Sequence, residues 1–175
     1  MTHAIELDGV WEFLYAGMDQ VAPVETRHIV VPGVWQAQFS DLRMKSGIGI
    51  YRRTFDIPRG WHNGRAFVRF GAVFQSAKVW VNEQLVGSHD GGFLPFSCDV
   101  SAMIREGENE IKVRVDSPID DQSLYPDDPL GEIPFGKQGW YGPQSGIWQP
   151  VYLECRNLDH IASLRIRPSL ASRTV

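Results

Sequence analysis

Apolar and polar residues alternate with a period of two through most of this chain. In Ile111-Lys112-Val113-Arg114-Val115 the aliphatic side chains fall on one face and the basic ones on the other, as in a strand with one buried side. Tyr51, Phe55 and Ile57 keep one register in Tyr51-Arg52-Arg53-Thr54-Phe55-Asp56-Ile57, and Val151, Leu153 and Cys155 alternate with Tyr152, Glu154 and Arg156. Ala66, Val68 and Phe70 alternate with Arg65, Phe67 and Arg69, where Phe67 adds an apolar group to the second face. Val79-Trp80-Val81 reads as a further strand. Pro32-Gly33, Pro58-Arg59-Gly60, Asn63-Gly64, Gly91-Gly92 and Glu106-Gly107-Glu108-Asn109 punctuate these runs, and Asn82-Glu83-Gln84 predicts a tight hairpin. Only Asp99 to Ile104 hints at helix, as one capped turn. Many short strands without a helical period predict an all-β sandwich or jelly roll.

Two segments break the pattern. From Asp116 to Ile147 there is no strand pattern for 32 residues, which hold five prolines, five glycines and six acids against Lys137 alone. So long a connection is usually functional or disordered. Tyr125, Phe135, Trp140 and Tyr141 argue for order, because their rings would otherwise stand in water; the expectation is a loop pinned to one edge of the sandwich. Further on, Leu164 and Ile166 alternate with Arg165 and Arg167 after a short connector. That predicts one more strand, which either closes this sandwich or opens a neighbouring domain.

Composition narrows the chemistry. The chain has 175 residues, enough for one domain or one domain plus the first element of another, with 43% hydrophobic and 22% charged residues. Its net charge is −4 with no local run of like charges, so neither nucleic acid nor a membrane is expected as a partner. No basic segment followed by an apolar one precedes Leu7, and no apolar run is long enough to span a bilayer; together these predict a cytoplasmic protein. Cys98 and Cys155 have no metal-binding spacing and read as reduced, half-buried thiols, with pairing as the alternative. The histidines are scattered singly, and no nucleophile elbow, phosphate loop or dinucleotide motif occurs. No cofactor, metal or catalytic residue is expected in this chain. Asp127-Asp128 reads as a solvated turn rather than a calcium site.

Trp11, Trp35, Trp80 and Trp148 lie in or beside strand patterns and are expected in the core. Trp61 sits in a turn, as a lid over a sheet edge or, less often, a sugar platform. The candidate binding residues are Lys137, Gln138, Trp140 and Tyr141. An aromatic plane beside an amide and an ammonium suits a pyranose, which has one apolar face and a hydroxyl rim. The same rings would equally serve to anchor the loop.

Several motifs occur in one order. Leu7-Asp8-Gly9-Val10-Trp11, Val31-Pro32-Gly33-Val34-Trp35, Gly49-Ile50-Tyr51-Arg52-Arg53-Thr54-Phe55, and the block from Phe70-Gly71 through Val79-Trp80-Val81-Asn82 to His89-Asp90-Gly91-Gly92-Phe93-Leu94-Pro95-Phe96 are followed by Gly107-Glu108-Asn109 and Ser145-Gly146-Ile147-Trp148. The series, over about residues 5 to 156, resembles the N-terminal sugar-binding domain of glycoside hydrolase family 2, the β-galactosidase, β-glucuronidase and β-mannosidase group. One departure is the hairpin, which usually reads Asn-Gly. The resemblance implies a galactose-binding-like jelly roll over residues 1–157, with 158–175 as a connector and the possible first strand of an immunoglobulin-like domain. It implies a parent chain continuing into that domain and a catalytic (β/α)8 barrel that carries both catalytic glutamates, so that these 175 residues alone are inactive. It also implies that the long loop lends polar groups to the rim of a carbohydrate site. The alternative is a free-standing carbohydrate-binding module; a third reading is a protein-interaction sandwich.

Overall fold

The structure is a computed structural model and describes residues 4–17, 25–61, 64–117, 143–161 and 164–168. Six strands form one antiparallel sheet in the spatial order β3 (Arg27–Val31), β2 (Gly9–Gly17), β4 (Gly47–Ile57), β10 (Gly107–Ser117), β7 (Ser76–Val81) and β8 (Gln84–Asp90). Four more, β1 (Ala4–Glu6), β12 (Val151–Arg156), β5 (Arg65–Phe70) and β9 (Phe96–Asp99), form a second antiparallel sheet. A short pair, β6 (Val73–Phe74) and β11 (Gly146–Ile147), joins them at one end. The chain changes sheets between β1 and β2 at Leu7-Asp8. This is the all-β jelly-roll sandwich that the alternation and the motifs predict.

The inner faces carry the residues that the period-two reading placed there. Val79, Val81, Ile111, Val113 and Val115 from the large sheet meet Val68, Phe70, Val151 and Leu153 from the small one in a single buried cluster. Trp11 and Trp35 are fully buried within it. Trp80 and Trp148 depart from the expectation: both are half-buried. Trp80 follows Val79 and therefore points to the outer face, where the Lys112 ammonium lies 4.6 Å from its ring centroid. Trp148 donates its indole N–H to the Gly92 carbonyl (2.8 Å). Phe67 lies on the outer face of the small sheet, covered by the Arg65 and Arg156 guanidinium groups and the His160 ring. Trp61 is half-buried and packs against the core.

Several motif residues prove to be structural. Arg53 donates to the carbonyls of Leu7 (2.9 Å) and Asp8 (2.8 Å), and the Asp8 carboxylate accepts the Val151 N–H (2.7 Å), so the crossing between sheets leaves these polar groups partnered. Asn109, 1% exposed, binds the Arg105 and Gly107 carbonyls and accepts from Asn82, tying two turns together. Asp99 accepts from the Ser101 N–H and hydroxyl and caps the single turn expected after it. The one-turn helix α1 (Trp35–Gln38) is among the elements that escaped prediction. No side chain caps it, so no local signature marks its start. Residues 164–168 pair with neither sheet, and Leu164 and Ile166 are exposed. The strand expected there is not part of this sandwich.

The β7–β8 hairpin turns on Asn82 (φ 48°) and Glu83 (φ 69°), the two left-handed residues of the tightest hairpin loop. Asparagine tolerates this region; glutamate pays a steric penalty there. Glu83→Gly is expected to stabilise the chain by about 0.5–1 kcal/mol, read as a higher midpoint in urea with an unchanged slope.

Cys98 and Cys155 are buried free thiols on β9 and β12, which flank β5 on opposite sides. Cys155 stands opposite Ala66 and Cys98 opposite Val68. Two strand spacings, roughly 9–10 Å, separate them across the sheet, and the two-residue offset along β5 adds to that, well beyond the ~7 Å reach of a disulfide. Burial pushes the Cys98 thiol up to about 11. In native protein at mildly alkaline pH neither cysteine should react appreciably with a thiol reagent, and both should titrate on unfolding.

Candidate functional site

The long loop begins and ends at one place. β10 runs on through Asp116 and Ser117, two residues beyond the alternation, and at the far end Gly146 and Ile147 form β11 against β6. Between these roots the Ser117 and Ser145 hydroxyls lie 2.6 Å apart. Gln36 completes the connection. Its amide donates to the Ser145 hydroxyl (2.8 Å) and the Lys45 carbonyl (2.9 Å), while its carbonyl oxygen accepts the Ser145 N–H (2.9 Å). Ser145, Ser117 and Gln36 are all buried. The backbone adds two bonds, Trp35 N–H to Ser145 O (3.1 Å) and Gly33 N–H to Ile147 O (2.8 Å).

This network accounts for α1. A helix of four residues has no stability of its own. Here its first N–H is taken by Ser145 and its glutamine fills a buried polar slot. A satisfied bond contributes about 1 kcal/mol net, but an orphaned buried partner costs roughly 1–3 kcal/mol, so the arrangement specifies one position for both roots.

An aromatic floor lies beneath. Trp35 packs on Phe13 (5.7 Å) and Tyr15 (6.0 Å) and donates its indole N–H to the Lys45 carbonyl (2.9 Å). The ring occupies space left by Gly49, where an added Cβ would lie 2.6 Å from it. Tyr51, fully buried, lies under Gly146, and burial raises its phenol pKa. The 91–95 turn borders the same end: Gln75 N–H binds the Asp116 carbonyl (3.3 Å), Gly91 N–H binds the Gln75 carbonyl (3.1 Å), and Phe93 meets Phe74 edge-on at 5.6 Å. Phe93 and Leu94 are exposed there.

Lys137, Gln138, Trp140 and Tyr141 lie outside the described residues, as do Asp127 and Asp128. What the structure brings together is their flanks. Gln36 and Ser117 were not singled out from sequence, because 109 residues separate Gln36 from Ser145 and no spacing rule links them. Among the described residues no cluster of three His, Cys, Asp or Glu is placed to hold a metal ion.

Residues 5–154 match the family model described as "Glycosyl hydrolases family 2, sugar binding domain". A β-glucuronidase from Paenibacillus borealis is 32% identical over 133 residues, covering 69% of this chain and 22% of that protein. A β-galactosidase from Thermoanaerobacter pseudethanolicus is 33% identical over 113 residues, 63% of this chain and 14% of that protein. Among solved structures, the Bifidobacterium dentium β-glucuronidase superposes with a TM-score of 0.68 at 31% identity, over 87% of this chain and 30% of that one. The chain thus spans less than a third of the length of each of these relatives. With the motif series, the sandwich and the match over most of its length, the chain belongs to glycoside hydrolase family 2, as that family's N-terminal sugar-binding domain.

Proposed function

We propose that the chain is the non-catalytic N-terminal domain of a retaining β-glycosidase, with immunoglobulin-like and barrel domains of the same parent supplying the rest of the enzyme. A retaining mechanism needs a nucleophile and an acid/base carboxylate about 5–5.5 Å apart across the scissile bond. On this reading both belong to the barrel, and the loop carrying Lys137, Gln138, Trp140 and Tyr141 lends polar and aromatic groups to the rim of the carbohydrate site. The observation that carries the proposal is the Ser117–Ser145–Gln36 connection, which fixes both roots of that loop at one end of the sandwich. A loop that contributes to a site on another domain must have its base held, since small displacements of positioning groups cost large factors in rate. The small share of each relative that the chain spans supports a multidomain parent.

The test has two parts. The coding frame beyond Val175 should continue into a barrel with two catalytic glutamates; a stop codon there would favour a free-standing binding module. In the full-length protein Trp140→Ala should lower kcat/KM on a chromogenic β-glycoside about tenfold or more. An unchanged kcat/KM would remove the loop from the sugar site.

A further inference from the structure

Two neighbouring rows in the middle of the outer face of the six-stranded sheet gather cations, although the chain as a whole is acidic. The register lines up one row across every strand: His28, Glu12, Arg52, Lys112, Trp80 and Leu85. The next row includes Leu14, Ile50, Arg114 and Lys78. Four cations thus converge from three adjacent strands on a protein of net charge −4. Arg52 stands directly opposite Lys112, and Arg114 directly opposite Lys78. Like charges in that relation destabilise a sheet. Only Arg114 has a carboxylate partner, Asp116 at 2.9 Å; no acid stands within ion-pair distance of Arg52, Lys78 or Lys112 among the described residues.

The same face is not flat. A groove of about 470 Å³ is lined by Leu14, Ile50, Trp80, Arg52, Lys112 and Arg114, with Glu12 at its side. Its apolar part is a half-buried tryptophan beside two aliphatic side chains, and its polar part is three cations with Glu12 and Thr26. We propose that this groove binds an anionic oligosaccharide, with a pyranose face on Trp80 and Ile50 and its carboxylate or sulfate between Arg52 and Lys112. Glu12 accepts from a hydroxyl of the same sugar. Binding would relieve the like-charge opposition that the unliganded sheet carries, and it would free the Lys112 ammonium from the Trp80 ring. A nucleic acid fits less well: its phosphates would meet Glu12 and Glu110 and an acidic protein beyond them, with one aromatic platform for stacking. None of these groove residues belongs to the long loop or its anchors, so the inference goes beyond the proposed role in a glycosidase and stands or falls separately.

Calorimetric titration of the 175-residue chain at low salt tests it. The probes are a short oligogalacturonate, a sulfated heparin-derived oligosaccharide, the carboxyl-reduced neutral form of the first, and single-stranded oligo-dT. The expected result is binding of at least one of the two anionic sugars, weakening with added salt, and none of the neutral form. The affinity of Arg52→Gln/Lys112→Gln should fall about tenfold or more, with an unfolding midpoint unchanged or raised; Trp80→Ala should bind more weakly as well. Carboxylate and sulfate specificity are separated by which anionic sugar binds. Binding of neither, equal binding of the neutral form, tighter binding of oligo-dT, or an unaltered affinity in the double variant would each overturn the proposal.

Discussion

Gly146→Ala is expected to destabilise the chain by at least about 3 kcal/mol in denaturant unfolding. Gly146 adopts φ +116°, a region that side chains of L-residues rarely enter. A Cβ at this position would also lie 2.3 Å from the Tyr51 hydroxyl and 3.4 Å from the Gly33 carbonyl. Tyr51 is held within the core against Trp11 and Phe13, so its phenol has nowhere to move. Backbone strain and overlap therefore add. They are separable: in the Tyr51→Phe background the overlap is relieved, and Gly146→Ala should cost measurably less there. An equal cost in both backgrounds would show that the overlap plays no part. Because Gly146 follows Ser145, the substitution should also loosen the loop roots, seen as faster amide exchange at Ser145 and Ile147.

Trp35→Ala is the second large effect, with a loss of roughly 3–5 kcal/mol expected in the same measurement. The side chain is 0% exposed, and Gly49 leaves space that only a large flat ring fills. Truncation opens a cavity among Phe13, Tyr15 and Gly49 and removes one of the two donors to the Lys45 carbonyl, leaving the Gln36 amide. Trp35→Phe keeps part of the packing and loses the indole N–H, so its cost should fall well below that of alanine. A cost under about 1 kcal/mol for Trp35→Ala would mean that this end of the sandwich does not depend on its aromatic floor.

What the sequence revealed, and what it hid, follows from how far apart the interacting residues lie. Alternation in β4, β5, β10 and β12 was legible because the inner face of each strand is buried along most of its length and a period of two is a local property, although Phe67 and Glu154 are covered on the outer face as well. The Asn82-Glu83 turn was legible for the same reason. Trp80 was misplaced because a strand edged by valines gives no hint that its outer face has a half-covered groove. α1 carries no cap and takes its partners from Ser145, over a hundred residues away. The groove draws Arg52 from β4 and Lys112 and Arg114 from β10, so no run of charge announces it, and the charge balance along the chain spoke only against nucleic acid and membrane partners. The roles of Lys137, Gln138, Trp140 and Tyr141 rest on residue chemistry and family resemblance, because these positions lie outside the described residues.

The central claim is that this sandwich scaffolds a sugar site without performing the hydrolysis. Its most direct test is turnover by the purified 175-residue chain on chromogenic β-glucuronide and β-galactoside. A retaining enzyme needs its paired carboxylates on either side of the bond, and on this account they lie on another domain. The rate of chromophore release should equal the protein-free blank at every enzyme concentration. Hydrolysis that rises in proportion to the chain and persists through repurification would contradict the account.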